Sequence, residues 1–115
     1  MLLKSLGKNI YIKQPEWKEL AFVEWYRRMV QPTDKRNLYY LIYTYEDIPV
    51  GEVSFQRFDK EKGLAELNVK IAYKYRKKGY AKEAISLLLN YYFYEFNGEV
   101  MVDRVAKIIY QGKNF

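Results

Sequence analysis

The chain has 115 residues, half of them apolar and 18% aromatic, with 13 tyrosines. That supports one folded globular domain, residues 1–115, with a real core and no room for a second. Cysteine and histidine are absent, which excludes disulfides, thiolate or imidazole nucleophiles and the usual zinc sites, so no metal is expected.

A general base must therefore be a carboxylate, a tyrosine, a lysine, an amino terminus or a relayed water. The net charge of +6 is unevenly placed, because Lys74, Arg76, Lys77, Lys78 and Lys82 fall together with no acid among them. A nucleic-acid binder spreads its cations along a face that tracks a backbone, whereas one focused cluster suits a small polyanion. No signal-peptide pattern opens the chain. No apolar run reaches the roughly 20 residues a membrane span needs, and a soluble, cytoplasmic protein is expected.

In chain order, Asn9 to Lys13 alternates polar and apolar residues and suits a short first strand. Pro15, Glu16 and Glu19 then open a helix in which Trp17, Leu20, Ala21, Trp25 and Met29 recur at helical spacing, closed by Pro32. Core packing accounts for the two tryptophans more simply than a substrate wall does. Leu38 to Tyr45 and Val50 to Phe58 read as two strands joined by the turn Glu46-Asp47-Ile48-Pro49.

A second polar turn, Asp59 to Gly63, leads into Leu64 to Ile71. There Ala65, Leu67, Val69 and Ile71 share one face, and Glu66, Asn68 and Lys70 the other. These three strands form an antiparallel meander. Ala81 to Asn97 reads as a helix with Gly98 as its stop, and Val100 to Tyr110 as a final strand. Strand, helix and strand in succession predict a parallel crossover. The fold class is thus α/β (α+β), a mixed, mostly antiparallel sheet with helices on its faces.

Between the strand and the helix lies Tyr75-Arg76-Lys77-Lys78-Gly79-Tyr80-Ala81. The free N–H groups and dipole of a helix start already make that end positive, so cations stacked there are unfavourable until an anion arrives. A phosphate on the open amides reverses the sign, and Gly79 lets it approach the backbone closely. The competing reading is a solvated basic turn; the strand-then-helix context favours phosphate binding.

Arg76-x-x-Gly79-x-Ala81 after an alternating strand resembles the acetyl-CoA pyrophosphate loop of the GNAT (Gcn5-related) N-acetyltransferases. Ile48-Pro49-Val50-Gly51-Glu52 resembles the family's hairpin, Ala65 to Val69 its fourth strand, and Ala106 to Tyr110 its fifth. The likeness covers about Leu38 to Asn114. It implies that acetyl-CoA is the donor cosubstrate, bound by Arg76, Lys77, Lys78, Gly79, Tyr80 and Ala81, and that its acetyl group passes to an amine.

The family's fourth and fifth strands splay apart. By the resemblance, the freed N–H groups of Val69 and Ile71 face the pantetheine and the thioester oxygen, and Glu66 stands as a water-linked base. An exposed strand carboxylate pairing with a neighbour is the other reading of Glu66. The acid that protonates the leaving sulfur would be a tyrosine; Tyr110 can be named for it but carries no assignment.

The sequence also departs from the pattern. Tyr73 stands where many members have proline, the stretch before the hairpin is short, and Phe115 comes where the family adds another helix and two strands. These departures keep open a catalytically impaired CoA-binding or assembly module, and the acceptor amine is not named by any residue. A nucleic-acid-binding domain using Tyr73, Tyr75 and Tyr80 ranks third. The apolar residues of Val100 to Tyr110 suggest an open edge covered by a second copy, hence a homodimer through the C-terminal strand.

Overall fold

A computed structural model gives the fold of residues 4–15 and 37–112. The helix expected over Trp17 to Met29 lies outside these described residues. Seven strands form one sheet in sequence order: β1 (Lys4–Leu6), β2 (Ile10–Lys13), β3 (Leu38–Thr44), β4 (Pro49–Asp59), β5 (Leu64–Ile71), β6 (Val100–Asp103) and β7 (Ile108–Gln111). Helix α1 (Tyr80–Tyr94) crosses from β5 to β6. Every neighbouring pair is antiparallel except β5 and β6, which run parallel as the strand–helix–strand order predicts.

Alternation along the strands decides which face is covered. Ile10, Ile12, Tyr40, Ile42, Val53 and Phe55 are buried against α1, which returns Ala84, Leu88, Leu89 and Tyr92. Tyr92 is the centre of this packing. Its ring meets Phe55 edge-on at 4.9 Å, and its one hydroxyl proton is shared between the carbonyls of Gly63 (3.0 Å) and Val100 (2.8 Å). Burial, followed by the nearby Glu99 charge, raises its pKa far above the ordinary tyrosine value, so the hydroxyl stays a donor. That hydroxyl joins the start of β5 to the start of β6.

The meander of β3, β4 and β5 forms as read from the sequence, with Asp47 in the left-handed region (φ 64°) at the first turn. Gly63 (φ 63°) closes the second turn, where the Asp59 carboxylate accepts the N–H groups of Glu61 and Lys62.

Three expectations need correction. First, a short β1 precedes the expected first strand and pairs with it through Ser5 and Ile12. Second, α1 ends at Tyr94, not Asn97, and the left-handed residue after it is Asn97 (φ 70°) rather than Gly98. Gly98 is required for a different reason: a Cβ there would lie 2.1 Å from the Tyr92 ring.

Third, Val100 to Tyr110 is not one strand. It is a hairpin whose turn, Arg104 to Lys107, is held by Asp103, the carboxylate accepting the N–H groups of Val105 and Ala106. The parallel partner of β5 is therefore β6, and Ala106 and Lys107 are turn residues instead of fifth-strand residues. The sheet's last strand is β7, with Ile109 65% exposed.

Candidate active site

The site grows out of an uneven partnership along β5. On one side β5 is paired with β4 over its length, from Leu64 opposite Asp59 to Ile71 opposite Gly51. On the other side β6 follows it only through Leu64, Ala65 and Glu66, and then turns away at Asp103. The Ala72 N–H donates to the Val50 carbonyl at 2.8 Å, which fixes the ladder's phase. Counting back by two, Lys70 and Asn68 point their amides at β4, while Ile71, Val69 and Leu67 point theirs away from it. Beyond Glu66, the amides of Val69 and Ile71 thus face the gap that β6 has left.

That gap is an open cleft of about 690 Å³ lined by Gly51, Glu52, Val69, Lys70, Ile71, Ala72, Tyr73, Arg76 and Ala81. Gly51 belongs there because a Cβ would come within 2.2 Å of the Lys70 carbonyl oxygen. No side chain fits at that point.

The far rim is the basic loop. Tyr73–Tyr75 make one 3-10 turn; Lys77 (φ 63°) and Gly79 (φ 81°) then reverse the chain into α1. Arg76 donates from Nε to the Ile71 carbonyl at 3.1 Å, tying the loop to the end of β5. Its guanidinium sits over the Tyr73 ring, 5.6 Å from the centroid.

Gly79 caps the helix without any side-chain bond, and a Cβ added to it would meet nothing within 4 Å. The first intrahelical bond is Glu83 N–H to Gly79 carbonyl, so the amides of Tyr80, Ala81 and Lys82 are left to an outside acceptor. A glycine in the left-handed region with open space above it and free amides beside it suits a phosphate. The first turn is not wholly cationic, as the sequence had suggested. Glu83 lies in it, and its carboxylate accepts both the backbone and side-chain N–H groups of Asn9, at 2.7 and 3.2 Å, which anchors the helix start to the β1–β2 turn.

The residues singled out in the sequence fall into two groups. Val69, Ile71, Arg76 and Ala81 line one cleft, with Lys77, Lys78 and Gly79 in the loop beside it and Tyr80 as the first residue of α1. Glu66 stands apart, three residues before Val69 on the segment still paired to β6. Its carboxylate is 3.0 Å from Arg104 Nε and 3.5 Å from Arg57 Nη1. The hydrogen bond from Arg104, with the charges of both arginines, outweighs the opposing effect of burial and holds the carboxyl below the usual range.

Tyr110 lies on β7 and packs against the core, outside the cleft lining. Of the tyrosines weighed for nucleic acid, Tyr75 and Tyr80 turn onto the core cluster and only Tyr73 stands out in solvent.

Of the described lining residues not named as site residues from sequence, Glu52 is the one carboxylate. Glu52 follows Gly51 on β4, opposite Lys70. The Tyr39 hydroxyl, from β3, donates to its carboxylate. The available signal was an acid in the alternating run beside the hairpin glycine, on the face away from α1. Among the described residues no group of three or more histidines, cysteines or carboxylates could hold a metal ion, and no helix is long and apolar enough to cross a membrane.

Comparison with known proteins bears on the fold and the family. The profile of the acetyltransferase (GNAT) domain matches residues 8–109. Among solved structures, one described as a ribosomal-protein-serine acetyltransferase from Vibrio cholerae superposes with a TM-score of 0.73 at 14% identity, over 91% of this chain and 78% of that one. A chimeric spermidine N-acetyltransferase from Vibrio cholerae and hSSAT gives 0.71 at 17% identity, over 82% and 69%. A GNAT-family acetyltransferase from Bacillus anthracis gives 0.66 at 21% identity, over 88% and 72%. No curated protein matches the chain. At such identities the structures speak for the fold alone. The profile, covering nearly the whole sequence, carries the assignment: the chain belongs to the GNAT acetyltransferase family.

Proposed function

We propose that this protein is an N-acetyltransferase that moves an acetyl group from acetyl-CoA to a primary amine. The observation that carries the reading is the early parting of β6 from β5, which turns the Val69 and Ile71 amides into a cleft bounded by the Gly79 helix start. In the reaction the amine nitrogen attacks the thioester carbonyl carbon. The N–C bond forms, the C–S bond breaks, the amine gives up a proton and the leaving thiolate takes one.

The Val69 N–H is suited to the developing oxyanion, and loss of such a donor costs on the order of 3 kcal/mol in the transition state. The Ile71 N–H suits the pantetheine. The loop from Arg76 through Lys77, Lys78, Gly79 and Tyr80 to Ala81 suits the pyrophosphate, with cations around it. Glu66 is proposed to accept the amine's proton through water. Its arginines keep it ionised at neutral pH and also make it a weaker base than a free carboxylate. An amine acceptor is supported by a neighbour in this fold that is named as a spermidine N-acetyltransferase.

A homodimer through the C-terminal hairpin and a cytoplasmic location belong to the same reading. The dimer rests on β7, the last strand of the sheet among the described residues, with Val105 94% and Ile109 65% exposed. Sedimentation at micromolar concentration tests it, and a monomer would remove this part alone. The main test is thermal stability with CoA, ATP or a short oligonucleotide, followed by acetylation of an amine panel. CoA should raise the Tm more than either alternative, because only a ligand that fits the folded site stabilises it. A shift with the oligonucleotide alone would refute the reading. Tight CoA binding with no turnover on any amine would favour a catalytically impaired CoA-binding module.

A further inference from the structure

The cleft holds one carboxylate among its described lining residues, and the mechanism above does not use it. We propose that Glu52 reads the acceptor: its carboxylate holds a second positive charge on the amine substrate, so the preferred acceptors are diamines and longer polycationic amines. This inference rests on the acetyl-transfer reading of the same cleft.

Three observations carry it. The first is position. Val53 is the direct cross-strand partner of Val69, and Glu52 is the next residue on β4. Its backbone is thus on the order of 6 Å from the Val69 amide, within one short aliphatic chain of the reacting carbon. Because Phe55 and Val53 point at α1, the alternation puts the Glu52 side chain on the sheet's other face.

The second is partnership. The two glutamates of this polar face are treated differently: Glu66 is clamped by Arg57 and Arg104, whereas Glu52 has no cation within ion-pair distance among the described residues. Lys70 stands opposite it in register, yet its side chain is exposed and is not paired with it. Glu52 instead accepts a hydrogen bond from the Tyr39 hydroxyl. Tyr39 is 5% exposed, so the bond comes from a fixed ring and aims the carboxylate rather than neutralising it. A half-buried carboxylate that is oriented but not neutralised is an incomplete ion pair, and a cation on the ligand completes it.

The third is the polarity of the cleft. Arg76 and the lysines of the loop gather at the end of β5 that carries the helix start, where a polyanionic donor would lie. The carboxylate sits at the same end of β5, opposite Lys70, but on the sheet face away from α1. A cleft with cations on the helix side and a fixed carboxylate on the other face suits one anionic and one cationic ligand.

The test compares 1,4-diaminobutane with n-butylamine as acceptors, using saturating acetyl-CoA. Glu52→Gln keeps the shape and removes the charge. The ratio of kcat/KM for the diamine to that for the monoamine should fall about tenfold, through KM for the diamine. Lys70→Met removes the positive charge opposite Glu52 in register, lessens repulsion of a diamine at the cleft and should move the ratio the other way. A structural role for Glu52 would depress both amines alike. An unchanged ratio in a Glu52→Gln protein that still binds CoA overturns the inference, as does an unchanged ratio in Lys70→Met should the first variant fail to fold.

Calorimetric titration of 1,4-diaminobutane into the CoA-bound protein separates this inference from the reading beneath it. If the parent acetylates neither amine yet binds the diamine, and Glu52→Gln weakens that binding about tenfold, the recognition site stands and acetyl transfer falls. If the parent binds no diamine and shows no preference for it, Glu52 does not read a second charge.

Discussion

The two halves of β5 obey the same alternation and end up with opposite jobs. From Leu64 to Glu66 the strand is sealed on both sides, by β4 and by β6, and its polar residue Glu66 is tied to two arginines. From Leu67 to Ile71 only β4 remains, and the outward amides and the cleft appear together. The difference is set by β6, four residues long and stopped by the Asp103-held turn, and by the Gly63 carbonyl, which accepts from Glu99, Val100 and Tyr92 and fixes where β6 begins. A backbone group becomes chemically available when its neighbour strand ends early. It needs no unusual residue.

The largest expected effect breaks the open half. Gly79→Asp puts a side chain and a negative charge at a left-handed position (φ 81°) over the helix amides. CoA affinity should fall at least a hundredfold by calorimetry, from blocked approach and charge repulsion together. Gly79→Ala separates the two causes. Its Cβ meets nothing within 4 Å, so it should bear only about 1–2 kcal/mol of backbone strain and lose far less affinity. Equal binding by Gly79→Asp and the parent would remove the loop from the site.

Gly51→Ala should come next and act on shape. The added Cβ, 2.2 Å from the Lys70 carbonyl oxygen, forces β4 and β5 apart where they line the cleft. About 2–3 kcal/mol of stability should be lost in urea unfolding, with weaker CoA binding. A variant as stable as the parent would mean the strands yield there freely.

Tyr92→Phe tests the sealed half. The hydroxyl it removes serves the carbonyls of Gly63 and Val100, so about 1–2 kcal/mol should go, and amide exchange at Val100 should quicken. Tyr40→Phe is the control. Its buried hydroxyl has no hydrogen-bond partner among the described residues, and removing it should cost nothing or stabilise slightly. Similar losses in both variants would show that ring packing, not the two hydrogen bonds, holds β6 in place.

Much of the open half was legible in the sequence. Strict alternation placed Val69 and Ile71 on one face, and a glycine inside a basic turn before an apolar periodic run marked the helix start. The meander was legible because its turns carry Asp, Pro and Gly, residues with strong turn chemistry. The β6–β7 hairpin was not, since its turn contains neither glycine nor proline. Lys107 takes the left-handed conformation (φ 59°) and Asp103 supplies the cap, so the apolar residues on either side read as one continuous strand. Glu52 was invisible for another reason. Its significance lies in Tyr39 across the strand and in the cation it lacks, and local spacing reports neither.

The smallest expected effect concerns Glu66, where the sealed and open halves meet. Its carboxyl is held below the ordinary glutamate range by Arg104 first and Arg57 second, so the folded state binds its proton less readily than the unfolded chain does. The sign follows from linkage: the contribution to stability is full above about pH 4.3 and fades as pH falls through the lower folded value. Both arginine side chains are 70% exposed or more, and the pairs are screened accordingly. Glu66→Gln should therefore lose only about 0.5–1 kcal/mol at pH 7, less at high salt, with parent and variant converging as the folded carboxyl becomes protonated in acid. Turnover reads the other role. A water-linked base predicts a lower kcat for Glu66→Gln with CoA affinity nearly intact, whereas a purely structural pair predicts an unchanged kcat and the same small, pH-dependent loss of stability. Loss of CoA binding in step with that stability would fit neither, and would mean that the Arg57–Glu66–Arg104 cluster sets the angle at which β6 leaves β5.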